Sequence, residues 1–254
     1  MNHDLFNYSV YIFFGALPSL LWLQFYLRKD VKPEPKPMIL KVFFYGMLCT
    51  IPAIILEIAF YRQMEALSFF STSVAFAINT FLGVAFVEEV LKFAVIRIKV
   101  LNDPEFDEPI DAMIYMIVAA LGFAAAENLL VLFSVGKQYS AEIGFLFPFL
   151  REQTLWQELF QVSLLRFLGA TFLHALSSAM IGFFLGLSFF KKERRGLLIG
   201  AGLLFGSFLH GLYNFSIIKV ENSLDVFIPF FLLIVAAVFV SLGFKKLTQM
   251  KQSA

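Results

Sequence analysis

The chain has 254 residues, of which 59% are apolar and only 15% charged, with a formal net charge of +1 and a mean hydropathy of +0.79. So few charged side chains could not cover the surface of a water-soluble domain of this size, which excludes a soluble enzyme. The balanced charge, without a dense basic patch, excludes a nucleic-acid-binding protein. The single cysteine, Cys49, excludes a disulfide framework and a thiolate zinc cluster.

Apolar segments long enough to cross a bilayer recur along the chain. A membrane-spanning helix needs about 20 residues, and seven segments approach or exceed that length: 8–27, 38–60, 67–98, 110–135, 162–190, 196–217 and 226–244. The alternating pattern of membrane β-barrels does not occur, and backbone groups in lipid must otherwise pair within helices. The sequence therefore predicts an all-α, polytopic protein with about seven transmembrane helices, in one integral membrane domain over residues 1–254.

Basic residues are distributed unevenly between the two ends of these segments. If the C-terminal tail is cytoplasmic, the inside segments carry fourteen Lys and Arg residues and the outside segments carry four. Positive charge favours the cytoplasmic side, so an N-out, C-in orientation is predicted. The stretch 136–161 is predicted to lie along the outer interface rather than to cross the bilayer.

Polar side chains interrupt the third to sixth apolar segments. An ionisable group at membrane depth costs at least about 2.5–3.5 kcal/mol, so such groups usually face a polar interior and have a function. The chain carries the following charged or amide residues there: Glu88, Glu89, Lys92, Glu127, Asn128, Arg166, His174, His210 and Asn214. At about 1.5 Å per residue from the inner helix ends, the acids and imidazoles lie at a common height of about 20–27 Å. We therefore predict one site inside the helix bundle.

The chemistry of this set is compatible with more than one activity. The sequence has no Ser/His/Asp set, no phosphate loop and no H-E-x-x-H motif. A carboxylate could remove a proton from water while imidazole and an amide stabilise the oxyanion of an attacked amide bond. The same groups could hold a divalent metal ion such as zinc, with Glu88, Glu89, Glu127, His174 and His210 as alternative ligands.

A transporter is the competing prediction. A proton- or ion-coupled carrier would also bury Glu, His and Lys in one layer. Carriers of this kind are commonly built from duplicated halves, and no internal repeat is detectable in the sequence. Hydrolysis is therefore the favoured prediction, and transport stays its alternative.

Four sequence motifs lie in order between residues 88 and 214. They are E-E-x-x-K at Glu88–Lys92, F-x-x-x-E-N at Phe123–Asn128, a span with Arg166 and His174, and H-x-x-x-N at His210–Asn214. In this order they resemble the PrsW family of membrane proteases, and the turn 105–111 is similar to that family's turn. That family is distantly similar to the CAAX-protease and bacteriocin-processing family, in which paired glutamates, histidine and asparagine activate water. Where the wider family has histidine in F-x-x-x-H, this chain has Glu127.

The resemblance implies an intramembrane endopeptidase of the bacterial cytoplasmic membrane. Its expected substrates are single-pass membrane proteins, such as anti-sigma factors, cleaved near the outer surface. Glu88 or Glu89 is the implied base, and no cofactor is required, although a zinc ion stays possible. The predicted site consists of Glu88, Glu89, Glu127, His174, His210 and Asn214 as catalytic residues, with Lys92, Asn128 and Arg166 in supporting positions.

Overall fold

A computed structural model describes residues 3–30, 32–67, 70–146, 155–218, 225 and 227–252. Within these ranges the chain forms ten α-helices and no β-strand. The helices are α1 (His3–Leu27), α2 (Lys36–Leu48), α3 (Thr50–Ala66), α4 (Thr72–Ile78), α5 (Val87–Lys99), α6 (Asp111–Leu146), α7 (Leu155–Leu168), α8 (Ala170–Leu187), α9 (Arg195–Ile218) and α10 (Phe227–Gln252). A π-helical segment, Asn79–Phe86, joins α4 to α5, and a 3₁₀ turn, Lys192–Arg194, precedes α9.

Seven helical stretches are long and apolar enough to cross a membrane. They are Ser9–Leu27, Lys36–Ala66, Thr72–Lys99, Asp111–Ser134, Gln157–Leu187, Lys192–Ile218 and Phe227–Met250. These correspond one to one with the predicted segments, so the all-α prediction with about seven spans is confirmed. The predicted interfacial stretch 136–161 lies partly outside the described residues, and the N-out, C-in orientation stays a prediction.

Helix α6 forms the centre of the bundle, and every residue from 111 to 125 is buried. It packs against α1, α2 and α8. Two glycines allow α2 to approach closely: a Cβ atom at Gly46 would overlap the backbone of Ala119, and one at Gly122 would overlap the backbone of Phe43. Small residues at helix interfaces let backbones come close enough for dispersion contacts in lipid. Helices α2 and α6 are thereby held in close contact.

Helix α8 is the second buried element, because it packs between α6, α9 and α10. A Cβ atom at Gly182 would come within 2.6 Å of the backbone of Met113 on α6. On the other side, a Cβ atom at Gly206 of α9 would lie 2.8 Å from the carbonyl oxygen of Ser177. These approaches bring α5, α6, α8 and α9 together around one volume in the interior.

Two interruptions of regular α-helix lie next to that volume. The π-helical segment Asn79–Phe86 ends directly before the glutamate pair of α5. Gly169 separates α7 from α8 with φ −107° and ψ −97°, and a Cβ atom there would overlap the hydroxyl of Tyr213. Segments of π-helix are frequent at functional sites, where they redirect side chains. Both interruptions therefore shape the walls of the site.

Candidate active site

Helices α5, α6, α8 and α9 bring the predicted acids and imidazoles into one cluster. Glu88, Glu89 and Lys92 of α5 are at most 4% exposed, as are His174 of α8 and His210 of α9. The two imidazole rings lie edge to face, with centroids 5.0 Å apart. The structure thus places these side chains inside the bundle, in contact with one another.

The ammonium group of Lys92 connects three members of this cluster. Its Nζ donates to Glu89 Oε1 at 2.8 Å and to Glu88 Oε2 at 3.1 Å, and lies 2.8 Å from His174 Nδ1. It also lies 4.4 Å from the centroid of the Phe123 ring. Because an ammonium group only donates, His174 Nδ1 must accept, and its proton resides on Nε2. His174 is therefore neutral in this arrangement.

Four hydrogen-bond donors surround the carboxylate of Glu89. Lys92 Nζ donates at 2.8 Å, Ser177 Oγ at 3.0 Å, Ser178 Oγ at 2.6 Å and His210 Nδ1 at 2.9 Å. Three of these donors approach Oε1, and the Ser177 hydroxyl, which has a single hydrogen, also lies 3.0 Å from the carbonyl oxygen of Leu173. Most of the roughly four acceptor sites of an ionised carboxylate are therefore occupied in Glu89. Its geometry is that of a group that holds its neighbours in place.

Glu88 has a different environment from its neighbour in sequence. Its Oε2 lies 3.1 Å from Lys92 Nζ, 3.6 Å from His174 Nδ1 and 3.9 Å from His210 Nε2. Within the described part of the chain, Lys92 is its one hydrogen-bond donor. When the His210 imidazole is neutral, donation through Nδ1 to Glu89 leaves a lone pair on the Nε2 that faces Glu88. Glu88 and His210 thus present two acceptors to the same small space.

Glu127 belongs to a second polar group at the edge of the cluster. Arg166 Nη2 donates to Glu127 Oε2 at 2.6 Å, and His174 Nε2 donates to the same oxygen at 2.9 Å. Arg166 also donates through Nε to Asn128 Oδ1, and Asn128 Nδ2 donates to Thr171 Oγ1 at 3.0 Å. The Glu127 side chain is 33% exposed. This group therefore orients His174 and lies closer to the surface than the glutamate pair.

A cavity of about 410 Å³ opens beside the imidazoles. Its polar lining consists of Asn79, Thr80, Glu127, Arg166, His174, His210, Tyr213 and Asn214, and the remaining lining is apolar. It extends along the π-helical segment and the last two turns of α9, toward the end of the bundle where α4 begins. Its volume lies in the range of small-ligand sites. The cavity provides access to the cluster from that end.

Glu88, His174 and His210 could together hold a metal ion. Each offers one ligand atom, and these three atoms lie within 4.8 Å of one another. Two imidazoles and a carboxylate form a set that zinc hydrolases use. Glu89 behind His210 supplies the carboxylate that commonly orients a ligating imidazole. The donor set therefore fits a divalent ion, whereas Glu89 and Glu127, also predicted as alternative ligands, lie outside this group of three.

Several residues of the site were not predicted from the sequence. Ser177 and Ser178 donate to Glu89, although hydroxyl side chains in an apolar helix carry little signal by themselves. Their positions one helical turn after His174 would have placed them on or near the same face. Thr171 likewise holds Asn128 in position.

Comparison with known sequences agrees with the motifs and the cluster. A family model described as PrsW family intramembrane metalloprotease matches residues 34–244. The chain belongs to the PrsW family. Proteins named Protease PrsW are similar to it: the one from Geobacillus kaustophilus is 30% identical over 82% of this chain and 80% of its own length. Those from Bacillus subtilis and Oceanobacillus iheyensis are 29% and 27% identical, over 85% and 87% of this chain and 86% and 88% of their own lengths.

Membership in the PrsW family confirms the resemblance inferred from the four motifs. It establishes a peptidase of the intramembrane class. Together with the seven spans, it establishes an integral, multi-pass protein of a bacterial membrane. No solved structure matches the chain.

Proposed function

We propose that this PrsW-family protein hydrolyses a peptide bond of single-pass membrane proteins by means of a water molecule that Glu88 activates. The observation that carries the proposal is the contrast between the two glutamates. Glu89 is surrounded by four donors, whereas Glu88 has one donor and faces two imidazoles. A general base needs a free lone pair within reach of its water. Glu88 has one.

The tautomers of the imidazoles support the same assignment. A water molecule beside Glu88 Oε2 and His210 Nε2 would donate one hydrogen to each acceptor. Both lone pairs of its oxygen would stay free, and one of them could attack a carbonyl carbon in the cavity. In this scheme Glu88 takes the proton of the water and gives it to the leaving nitrogen when the C–N bond breaks. Glu89 holds His210 in the required tautomer through the 2.9 Å bond to Nδ1. Lys92 compensates the charge of both carboxylates.

Asn214 is our proposed donor to the oxyanion. It lies one helical turn after His210 and lines the cavity. A side-chain amide that donates to the developing negative charge typically contributes about 10²–10³ in rate. Arg166 and Asn128 keep Glu127 in place, and Glu127 in turn fixes the proton of His174 on Nε2. All nine predicted site residues thus have a role in the proposal.

A metal-dependent form of the same hydrolysis is the second candidate. It is favoured by the proximity of Glu88, His174 and His210 and by the description of the family. A divalent ion held by these three residues would supply a Lewis acid and would make bound water more acidic. Lys92 lies within hydrogen-bonding distance of two of the three residues, so it would have to share or leave this space.

The expected substrates are single-pass membrane proteins such as anti-sigma factors, and the expected site of cleavage is near the outer surface. The cavity opens toward the end of the bundle where α4 begins and α9 ends. With the N-out, C-in orientation that the basic residues favour, that end faces the outside. A peptide segment that unwinds there would find polar groups of the cavity for its backbone.

The test is cleavage of a tagged single-span substrate by the purified protein in detergent. We expect Glu88→Gln to abolish cleavage and Glu89→Gln to lower it about 10–100-fold, because Glu89 acts through His210. Glu193→Gln, which changes an exposed carboxylate in the 3₁₀ turn, is the matched control and should cleave normally. Full activity of Glu88→Gln would refute the assignment of the base.

The same assay with a chelator separates the two forms of hydrolysis. Cleavage that survives chelation removes the metal-dependent form. Loss of cleavage that zinc restores, in the wild type but not in His210→Ala, establishes it. Ion flux through reconstituted protein without any cleavage would instead favour the transporter alternative over both.

A further inference from the structure

A group of acidic residues joins the α1–α2 linker to the start of α6, at the end of the bundle opposite the cavity. The hydroxyl of Tyr115 donates to Glu34 Oε2. The carboxyl groups of Glu34 and Asp111 lie within hydrogen-bonding distance of each other. Ionised carboxylates only accept hydrogen bonds, so two of them cannot face each other without a hydrogen or a cation between them.

Asp111 has a buried carboxylate oxygen that accepts no hydrogen bond within the described part of the chain. The residue has no exposed surface. Its Oδ2 accepts a hydrogen bond from the backbone N–H of Glu108 at 2.6 Å, whereas its Oδ1 is buried without a donor among the residues that the structure describes. A buried carboxylate oxygen without a partner is strongly unfavourable. An unpaired acceptor in a carboxyl group that lies beside Glu34 indicates that a ligand is bound between the two residues.

The surrounding charges increase the need for a counter-ion. The carboxylates of Asp30 and Asp107 lie close enough to Glu34 for their negative charges to act on it. The ammonium of Lys32 lies 2.5 Å from Asp107, on a side that is well exposed to solvent. One proton shared between Glu34 and Asp111 would neutralise one of these four acids, whereas a divalent ion would neutralise two.

We propose that Glu34 and Asp111 bind a hard divalent cation, of the Mg²⁺ and Ca²⁺ class, with water in the remaining coordination positions. Both ions prefer oxygen ligands, and Mg²⁺ in proteins is commonly held by one or two carboxylates and several waters. Zinc and related ions prefer imidazole or thiolate, neither of which is part of this group. The bound ion joins the linker to α6, the helix that carries Glu127 of the active site.

Thermal unfolding of the full-length protein in detergent tests the proposal. After treatment with a chelator, the protein is titrated with Ca²⁺ or Mg²⁺ up to about 1 mM. The unfolding temperature should rise with the concentration of the ion, because the ion binds the folded state. The concentration for half of this effect should increase at least about tenfold in Glu34→Gln and in Asp111→Asn. It should not change in Glu105→Gln, which alters an exposed carboxylate of the turn between α5 and α6.

Three results would overturn the proposal. The first is a wild type that neither ion stabilises, and the second is equal stabilisation of the wild type and of Glu34→Gln. The third is a stability that responds to pH between about 6 and 8 but to neither ion, which would mean that the two carboxyls share a proton. Glu34 lies outside the helices, so Glu34→Gln decides the matter even if Asp111→Asn does not fold.

Discussion

Replacement of Lys92 by methionine should destabilise the protein strongly, and removal of one carboxylate should recover part of the loss. Lys92 is fully buried and donates to Glu89 at 2.8 Å and to Glu88 at 3.1 Å. Hydrogen bonds that involve charged groups contribute about 1.5–3 kcal/mol each, and breaking a buried ion pair costs about 3–5 kcal/mol. We therefore expect Lys92→Met to lower the free energy of unfolding by about 3–5 kcal/mol.

The double variant Lys92→Met/Glu89→Gln separates the charge effect from the loss of side-chain packing. Methionine fills a similar volume, so most of the cost should come from the two carboxylates left without a cation. Neutralising one of them should recover at least about 1–2 kcal/mol relative to additivity, within the range of coupling energies for residues in contact. The measurement is a double-mutant cycle of reversible unfolding in bicelles or mixed micelles.

A lysine outside the cluster provides the control for this cycle. Lys245→Met removes a lysine near the end of α10 that is exposed to solvent and should couple with Glu89→Gln by less than about 0.5 kcal/mol. The reasoning is refuted if the effects of Lys92→Met and Glu89→Gln simply add. In that case the buried ammonium would not be compensating Glu89.

Three further predictions follow from contacts of the site and of the helices. Asn214→Ala should reduce the turnover of a single-span substrate about 10²–10³-fold with little change in its KM, and a change confined to KM would contradict the oxyanion role. Gly122→Val should lower the unfolding temperature or prevent folding, since its side chain would overlap the backbone of Phe43; normal stability would show that α2 and α6 can separate at no cost. In chelator, stability should fall as pH rises through the raised pKa of Glu34, because the folded state holds that proton more tightly than the unfolded state; Glu34→Gln should flatten this dependence.

The sequence was sufficient for the spans and for the ionisable members of the cluster, because both depend on strong local signals. A bilayer requires about 20 apolar residues for each crossing, so the segments were visible from composition alone. Ionisable residues such as Glu88 and His210 were easy to identify because they are rare in membrane-spanning segments, where burying an ionisable group in lipid is energetically unfavourable. The height of these residues in the bilayer could then be estimated by counting residues from the inner end of each helix.

The different environments of Glu88 and Glu89 could not be predicted from sequence. Adjacent residues point about 100° apart on a helix, but which of the two directions leads to Ser177 and Ser178 depends on how α8 packs against α5. The same holds for the contact between Tyr115 and Glu34, which are 81 residues apart in the chain. Tertiary packing, and not local propensity, decides these partners.

The π-helical segment Asn79–Phe86 has a consequence for how this span can vary. Its backbone bonds reach one residue farther than those of an α-helix, so the turns before it and after it are out of phase. Deleting a single residue there would restore a continuous α-helix. The turn that contains Phe76 and Thr80, which line the cavity, would then rotate around the helix axis relative to the glutamates of α5. The segment thus sets the rotation between the half of the span that lines the cavity and the half that carries Glu88 and Glu89.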